Sequence, residues 1–110
     1  MEISLDTKLA VNSYMIGQFS KKGYIGYLYF KLFVEICFEK YKELGYIPNL
    51  KLTELIHLAD LDVTAQSCQR SLKAFLNEEN LEGTIQDVLI DITEKIIEQS
   101  KPKLLEGDEY

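Results

Sequence analysis

Leu52 to Lys73 reads LTELIHLADLDVTAQSCQRSLK, and its periodicity governs how the rest of the chain is read. Leu52, Leu55, Ile56 and Ala59 fall at the i, i+3, i+4, i+7 spacing of one helix face, and Cys68, Leu72, Phe75 and Leu76 define a second face further on. Between them Asp60, Leu61 and Asp62 form a turn, and Thr64 is a residue type that caps helix N-termini. The pattern predicts two short helices, Leu52 to Ala59 and Ala65 to Leu76, joined as a helix-turn-helix over about residues 52–76. Leu55, Ile56 and Ala59 then pack against Cys68 and Leu72, with Val63 buried in the turn. The other side of the second helix carries Gln66, Ser67, Gln69, Arg70 and Lys73, hydrogen-bonding types suited to base edges and phosphates if such a helix lies in a DNA groove.

Upstream of this segment, Asp6 is read as capping a first helix that runs to about Phe19, with Val11, Met15 and Phe19 spaced four apart and Gly17 weakening its end. Ser20 to Gly23 is a polar break. The most apolar segment, Tyr24 to Leu44, follows as the central helix. Its Lys31, Glu35, Glu39 and Lys42 or Glu43 draw one narrow solvated stripe, leaving Leu28, Leu32, Phe33, Ile36, Cys37 and Tyr41 for the core. Gly45 closes that helix as a left-handed cap, and Pro48 prevents its continuation. Downstream, Asn80 to Gly83 ends the second short helix. Thr84 with Asp87 resembles a capping box, and Ile85, Val88, Leu89, Ile92 and Ile96 give a last amphipathic helix that Pro102 is expected to end. The expected fold is all-α, a compact bundle of about five helices containing a helix-turn-helix. It forms a single domain over residues 1–103, with an acidic tail at 104–110.

Bulk composition agrees with that reading. A chain of 110 residues supports one hydrophobic core, and 46% apolar with 27% charged residues is a globular composition. The longest apolar stretch, Tyr24 to Phe38, contains Lys31 and Glu35 and is shorter than the roughly 20 residues a bilayer span needs, so no membrane role is expected. Asp6 and Lys8 interrupt the first turns where a secretory leader would be apolar, which points to a cytoplasmic chain. Cys37 and Cys68 sit inside apolar periodic segments and read as buried thiols, with neither a Cys-x-x-Cys spacing nor an adjacent base. His57 is the only histidine and reads as core-edge packing, since it has no second ligand for a metal. Asp87, Asp91, Glu94 and Glu98 follow the spacing of a solvated helix face. With no Gly-rich phosphate loop either, no enzymatic activity, metal or cofactor is expected.

Charge is unevenly spread. The chain carries −6 overall, but Met1 to Lys51 holds seven lysines against five acids, and Leu52 to Tyr110 holds five basic residues against thirteen acids. That asymmetry argues against a whole-surface nucleic-acid binder while leaving room for a local basic patch.

Lys22-Gly23-Tyr24 and Gly26-Tyr27-Leu28-Tyr29-Phe30, followed by Leu58-Ala59, Val63-Thr64 and Cys68-Gln69-Arg70-Ser71-Leu72, resemble the C-terminal DNA-binding domain of the sporulation-initiation response regulator of endospore-forming bacteria. The resemblance covers roughly the middle half of the chain, with small insertions and deletions between its two blocks. It implies an all-helical, helix-turn-helix transcription regulator. Thr64 falls on that family's capping threonine, Arg70 on an arginine of its recognition helix, and Lys73 on another basic residue. The chain departs from the pattern at Ser67, Gln69 and Ala74, where the family has an arginine, a glutamate and a basic residue.

Two uses follow as expectations. In the first, a DNA-binding regulator reads DNA through Thr64 to Lys73, with Lys21, Lys22 or Lys51 on phosphates. Two positive charges on one helix supply little affinity alone, so a homodimer joined through the first or last helix is expected. In the second, an acidic protein-binding antagonist or phage-type accessory factor uses a degenerate helix-turn-helix scaffold. Its acidic helix, about 84–99, lies in a stretch from Glu78 to Tyr110 with ten acids against three basic residues, suited to a basic protein partner.

Overall fold

The computed structural model of the chain describes residues 1–20 and 24–108; Lys21, Lys22 and Gly23 lie outside the described residues. Among the described residues all regular structure is helical, in the order α1 (Leu5–Gln18), α2 (Ile25–Leu44), α3 (Leu52–Leu58), α4 (Ala65–Glu78) and α5 (Ile85–Asp108). No helix among these residues is long and apolar enough to cross a membrane.

The central position belongs to α2, which packs against each of the other four helices. Phe30, Phe33, Val34, Ile36 and Cys37 are buried along it, and they meet Val11 and Met15 of α1, Leu55 of α3, Cys68, Leu72 and Phe75 of α4, and Leu89, Ile92 and Ile96 of α5 in one core. Aromatic rings concentrate where α2 meets α4. The Phe75 ring lies 5.4 Å from Phe19, 5.8 Å from Tyr27 and 5.4 Å from Phe30, two of these edge-to-face. At the same crossing Gly26 lets the backbones come together, since a Cβ built there would sit 2.2 Å from the carbonyl oxygen of Ser71 and 2.8 Å from Phe75 Cβ.

Tertiary packing changes three assignments made from periodicity. Ser4, not Asp6, caps α1: its hydroxyl accepts from the Thr7 N–H, and Asp6 lies in the first turn, where its charge suits the helix dipole. Glu35 is buried at 6% exposure, whereas Leu28 is 52% exposed and Leu32 and Tyr41 are half-buried. The cause is α1, whose first turns lie across the side of α2 that the sequence marks as solvated. Burial pushes the Glu35 carboxyl up, and Lys31 and Lys8 oppose that shift. The third difference is at Pro102, where α5 does not stop but continues to Asp108, taking in much of the segment expected to be an acidic tail. A proline withholds one N–H from the preceding turn, and that turn includes the exposed Glu98 and Gln99, where water can donate instead. The positions 109 and 110 lie outside the described residues.

Glu39 ties α1 to α2. One of its oxygens accepts from the Ser4 hydroxyl at 2.6 Å, the Ser4 N–H at 3.0 Å and the Thr7 hydroxyl, while Lys42 Nζ stands 3.1 Å away. Burial opposes ionisation of Glu39, but these hydrogen bonds outweigh it and hold the carboxyl down to about 2. A depressed carboxylate stabilises the fold fully above its unfolded value of 4.5 and loses that contribution as pH falls towards 2. Glu39→Gln is therefore expected to cost about 1–2 kcal/mol at pH 7, after allowance for solvent screening. The difference from the native chain narrows between pH 4.5 and pH 2.5 in urea unfolding followed by circular dichroism.

The two turns flanking α4 repeat the same hydrogen bonds and caps at an offset of 20 residues, and differ in the residue before the cap, where Gly83 takes φ 115° and Val63 takes no positive φ. In the first, Ala59 N–H bonds Leu55 C=O, Asp60 N–H bonds His57 C=O and Leu61 N–H bonds Ile56 C=O; in the second, Glu79, Asn80 and Leu81 bond Phe75, Asn77 and Leu76. Asp60 and Asn80 both take left-handed conformations, φ 55° and φ 56°, which Asp and Asn tolerate better than other side chains. Thr64 then caps α4 by accepting from Ser67 N–H, and Thr84 caps α5 by accepting from Asp87 N–H, both at 3.1 Å. Asp-Leu-Asp-Val-Thr-Ala-Gln at 60–66 and Asn-Leu-Glu-Gly-Thr-Ile-Gln at 80–86 thus encode the same left-handed first residue and the same threonine cap.

Candidate functional site: the outer face of α4

The α4 helix is polar on one side and apolar on the other. Cys68, Leu72, Phe75 and Leu76 are buried against α2 and the core, and Gln66, Ser67, Gln69, Arg70 and Lys73 are all exposed. A helix turns about 100° per residue, so Gln66, Gln69, Arg70 and Lys73 share one face, with Ser67 on its flank. Asn77, four residues beyond Lys73, is exposed and carries that face one turn further. Nothing in the sequence sets it apart, since it lies next to the acidic pair Glu78 and Glu79. Thr64 is exposed at the N-terminus of this face, with its hydroxyl committed to capping.

Behind this face α3 packs through Leu55 and Ile56, both buried. The link from α3 to α4, Ala59 to Thr64, holds six residues, longer than the 3–4-residue turn usual between such helices. Lys51 stands exposed at the N-terminus of α3, where its N–H donates to Glu54 at 3.1 Å. A hollow of about 420 Å³ beside the α4 face is lined by Gln69 and Lys73 together with Leu52, Thr84 and Gln86. The structure thus adds Thr84 and Gln86, from the start of α5, to the polar groups around Lys73. Electrostatically the face is a small island, with Arg70 and Lys73 its only charged residues in a chain of net charge −6.

A second concave surface lies between α1, α5 and the segment after α2. It is a groove of about 760 Å³ lined by Tyr14, Tyr41, Tyr46, Ile47 and Ile97, with Asp91, Glu94 and Lys95 among its charged groups. Lys95 pairs with Asp91 at 3.1 Å.

The remaining reactive side chains sit apart from both surfaces. Cys37 and Cys68 are buried, and burial pushes both thiols up to about 11. His57 is exposed rather than packed at the core edge, because α3 turns its Leu55 and Ile56 side inward and His57 away from it. Among the described residues no three His, Cys, Asp or Glu side chains gather as a metal site would require. Compared with protein-family models, with curated proteins and with solved structures, the chain has no match.

Proposed function

We propose that this chain is a small, non-enzymatic DNA-binding regulator in which α3 and α4 act as a helix-turn-helix and α4 is the recognition helix, as the resemblance to the sporulation-regulator effector domain implies. One observation carries the reading: α4 is fixed by its buried side and capped at its start, yet presents Gln66, Gln69, Arg70, Lys73 and Asn77 together to solvent. Gln and Asn suit adenine edges, Arg suits guanine, and Lys suits phosphate. The turn before α4 is not specific to such a role, because its hydrogen bonds recur between α4 and α5. In this reading Thr64 holds the helix start and Lys51 reaches a phosphate, with Lys21 and Lys22 in the same role.

Fluorescence anisotropy of the full chain against a random-sequence duplex pool, at 50 mM and 200 mM salt, tests the proposal. The native chain is expected to bind more tightly at low salt. Lys73→Ala is expected to lower the salt slope by about one counterion, and Arg70→Ala to weaken binding by roughly 10- to 100-fold. Because both side chains are exposed, neither variant should alter the circular dichroism spectrum. No binding at 50 mM salt, or binding unchanged in both variants, refutes the reading.

A second reading, an acidic protein-binding antagonist or phage-type accessory factor, draws support from the groove beside α5, where three tyrosines adjoin Asp91 and Glu94. Its partner is a basic protein surface. Capture of such a partner that is lost in Glu94→Lys but kept in Arg70→Ala distinguishes it from DNA binding.

A further inference from the structure

The groove between α1, α5 and the segment after α2 has two kinds of wall. Tyr14 of α1, Tyr41 of α2, and Tyr46 and Ile47 just beyond α2 make an aromatic and apolar side. On α5, Ile90, Asp91, Glu94, Ile97 and Glu98 follow the i, i+1, i+4, i+7, i+8 spacing of one helix face, so three carboxylates and two isoleucines make the other. Among the described residues lining the groove Lys95 is the only cation, and it is already paired with Asp91. Glu94 is exposed and, among the described residues, belongs to no ion pair.

Tyr14 marks the same place independently of these charges. It is only 8% exposed, yet its hydroxyl has no hydrogen-bond partner among the described residues. No fully buried side-chain oxygen or nitrogen among them lacks a partner, so the hydroxyl is the part of Tyr14 that reaches the groove. Polar groups set this deep are ordinarily satisfied within the fold. Burial pushes the phenol up, and Lys95 and Asp91 stand near enough to act on it in opposite directions. A neutral hydroxyl therefore faces the charged side of α5 at pH 7.

We propose that this groove binds a small organic cation, an ammonium carried on an apolar or aromatic body. The ammonium pairs with Glu94 and donates to the Tyr14 hydroxyl, the tyrosine rings add their attraction for a cation, and the body lies against Ile47 and Ile97. Charge decides the sign of the ligand, because an anion here meets three carboxylates and one lysine that is already committed. Volume decides its size, since about 760 Å³ lies within the roughly 300–1,000 Å³ of small-ligand sites. The site is separate from the DNA-binding face. It shares its groove with the second reading, but holds a small molecule where that reading holds a basic protein surface.

Dansylcadaverine, an aromatic body on an alkyl arm ending in a primary ammonium, is the probe, and dansyl-aminohexanoic acid, which ends in a carboxylate, is its counterpart. Fluorescence titration of the full chain at low salt is expected to give one-site binding of the amine with Kd on the order of 10–100 µM, and binding of the acid at least about 10-fold weaker. Glu94→Gln is expected to weaken the amine by about 5- to 10-fold and Tyr14→Phe by about 3- to 10-fold. Neither should alter the circular dichroism spectrum, because Glu94 is exposed and phenylalanine keeps the buried ring. No saturable binding of the amine up to about 1 mM, equal affinity for amine and acid, or an amine affinity unchanged in either variant overturns the proposal. So does an oligolysine peptide whose Glu94-dependent binding dansylcadaverine fails to displace, which returns the groove to a protein partner. Arg70→Ala is expected to bind dansylcadaverine like the native chain, so failure at the groove and failure of DNA binding are seen separately.

Discussion

Gly26→Ala is expected to lower the free energy of unfolding by about 2–3 kcal/mol, although alanine is the better helix former. On propensity alone the change adds up to about 1 kcal/mol of stability, by restricting the unfolded chain. Steric overlap reverses the sign. The new methyl would stand 2.2 Å from the Ser71 carbonyl oxygen and 2.9 Å from its carbon, both backbone atoms of α4 that no rotamer change can move aside. The helices must separate, and the Phe75 contacts loosen with them. Gly17 supplies the contrast, since a Cβ there meets nothing within 4 Å and its alanine variant has only the propensity gain. Urea unfolding followed by circular dichroism, the natural probe for a chain without tryptophan, should move the two midpoints in opposite directions. If Gly26→Ala is neutral or stabilising, α2 and α4 do not approach as described.

Phe75→Ala should be more damaging still, costing about 3–5 kcal/mol. Phe75 is fully buried and is the shared neighbour of Phe19 at the C-terminal edge of α1 and of Tyr27 and Phe30 in α2. Its removal leaves a cavity that three rigid rings cannot collapse to fill, and it deletes their edge-on contacts as well. Domains of this size have roughly 5–15 kcal/mol in total, so the variant sits near the edge of folding at 37 °C. Thermal unfolding is expected to show a midpoint lower by on the order of 10 °C or more. Phe75→Leu keeps most of the volume and should recover about half of the loss. A midpoint unchanged in the alanine variant would mean that this ring is not the hub of the core.

Much of the architecture was legible from single residues whose chemistry is local. Gly45 in its left-handed cap at φ 84°, Thr64 and Thr84 at their N-caps, and the buried row Cys68, Leu72, Phe75, Leu76 all sit where spacing and residue type indicate. What periodicity missed depends on partners distant in the chain. Glu35 and Lys31 mark a solvated stripe only until α1 folds over it, and nothing within α2 records that event. The role of Gly26 is equally invisible without Ser71 beside it. Of the candidate site, the exposure of Gln66, Ser67, Gln69, Arg70 and Lys73 follows from the apolar row opposite them. The contribution of Thr84 and Gln86 to the same surface appears only when α5 is set next to α4.

The paired turns around α4 also constrain how this chain can change. Each turn fixes its neighbouring helix end by bonds reaching no more than five residues, so neither can slide to absorb a change between them. One residue inserted or deleted between Ala65 and Glu78 rotates everything after it by about 100° relative to everything before. The later half of the polar face would then point into α2, and Phe75 out of the aromatic cluster. Substitutions on the outer side of α4 remain free, whereas its residue count is locked. Variation in what this surface recognises is therefore confined to side-chain identity.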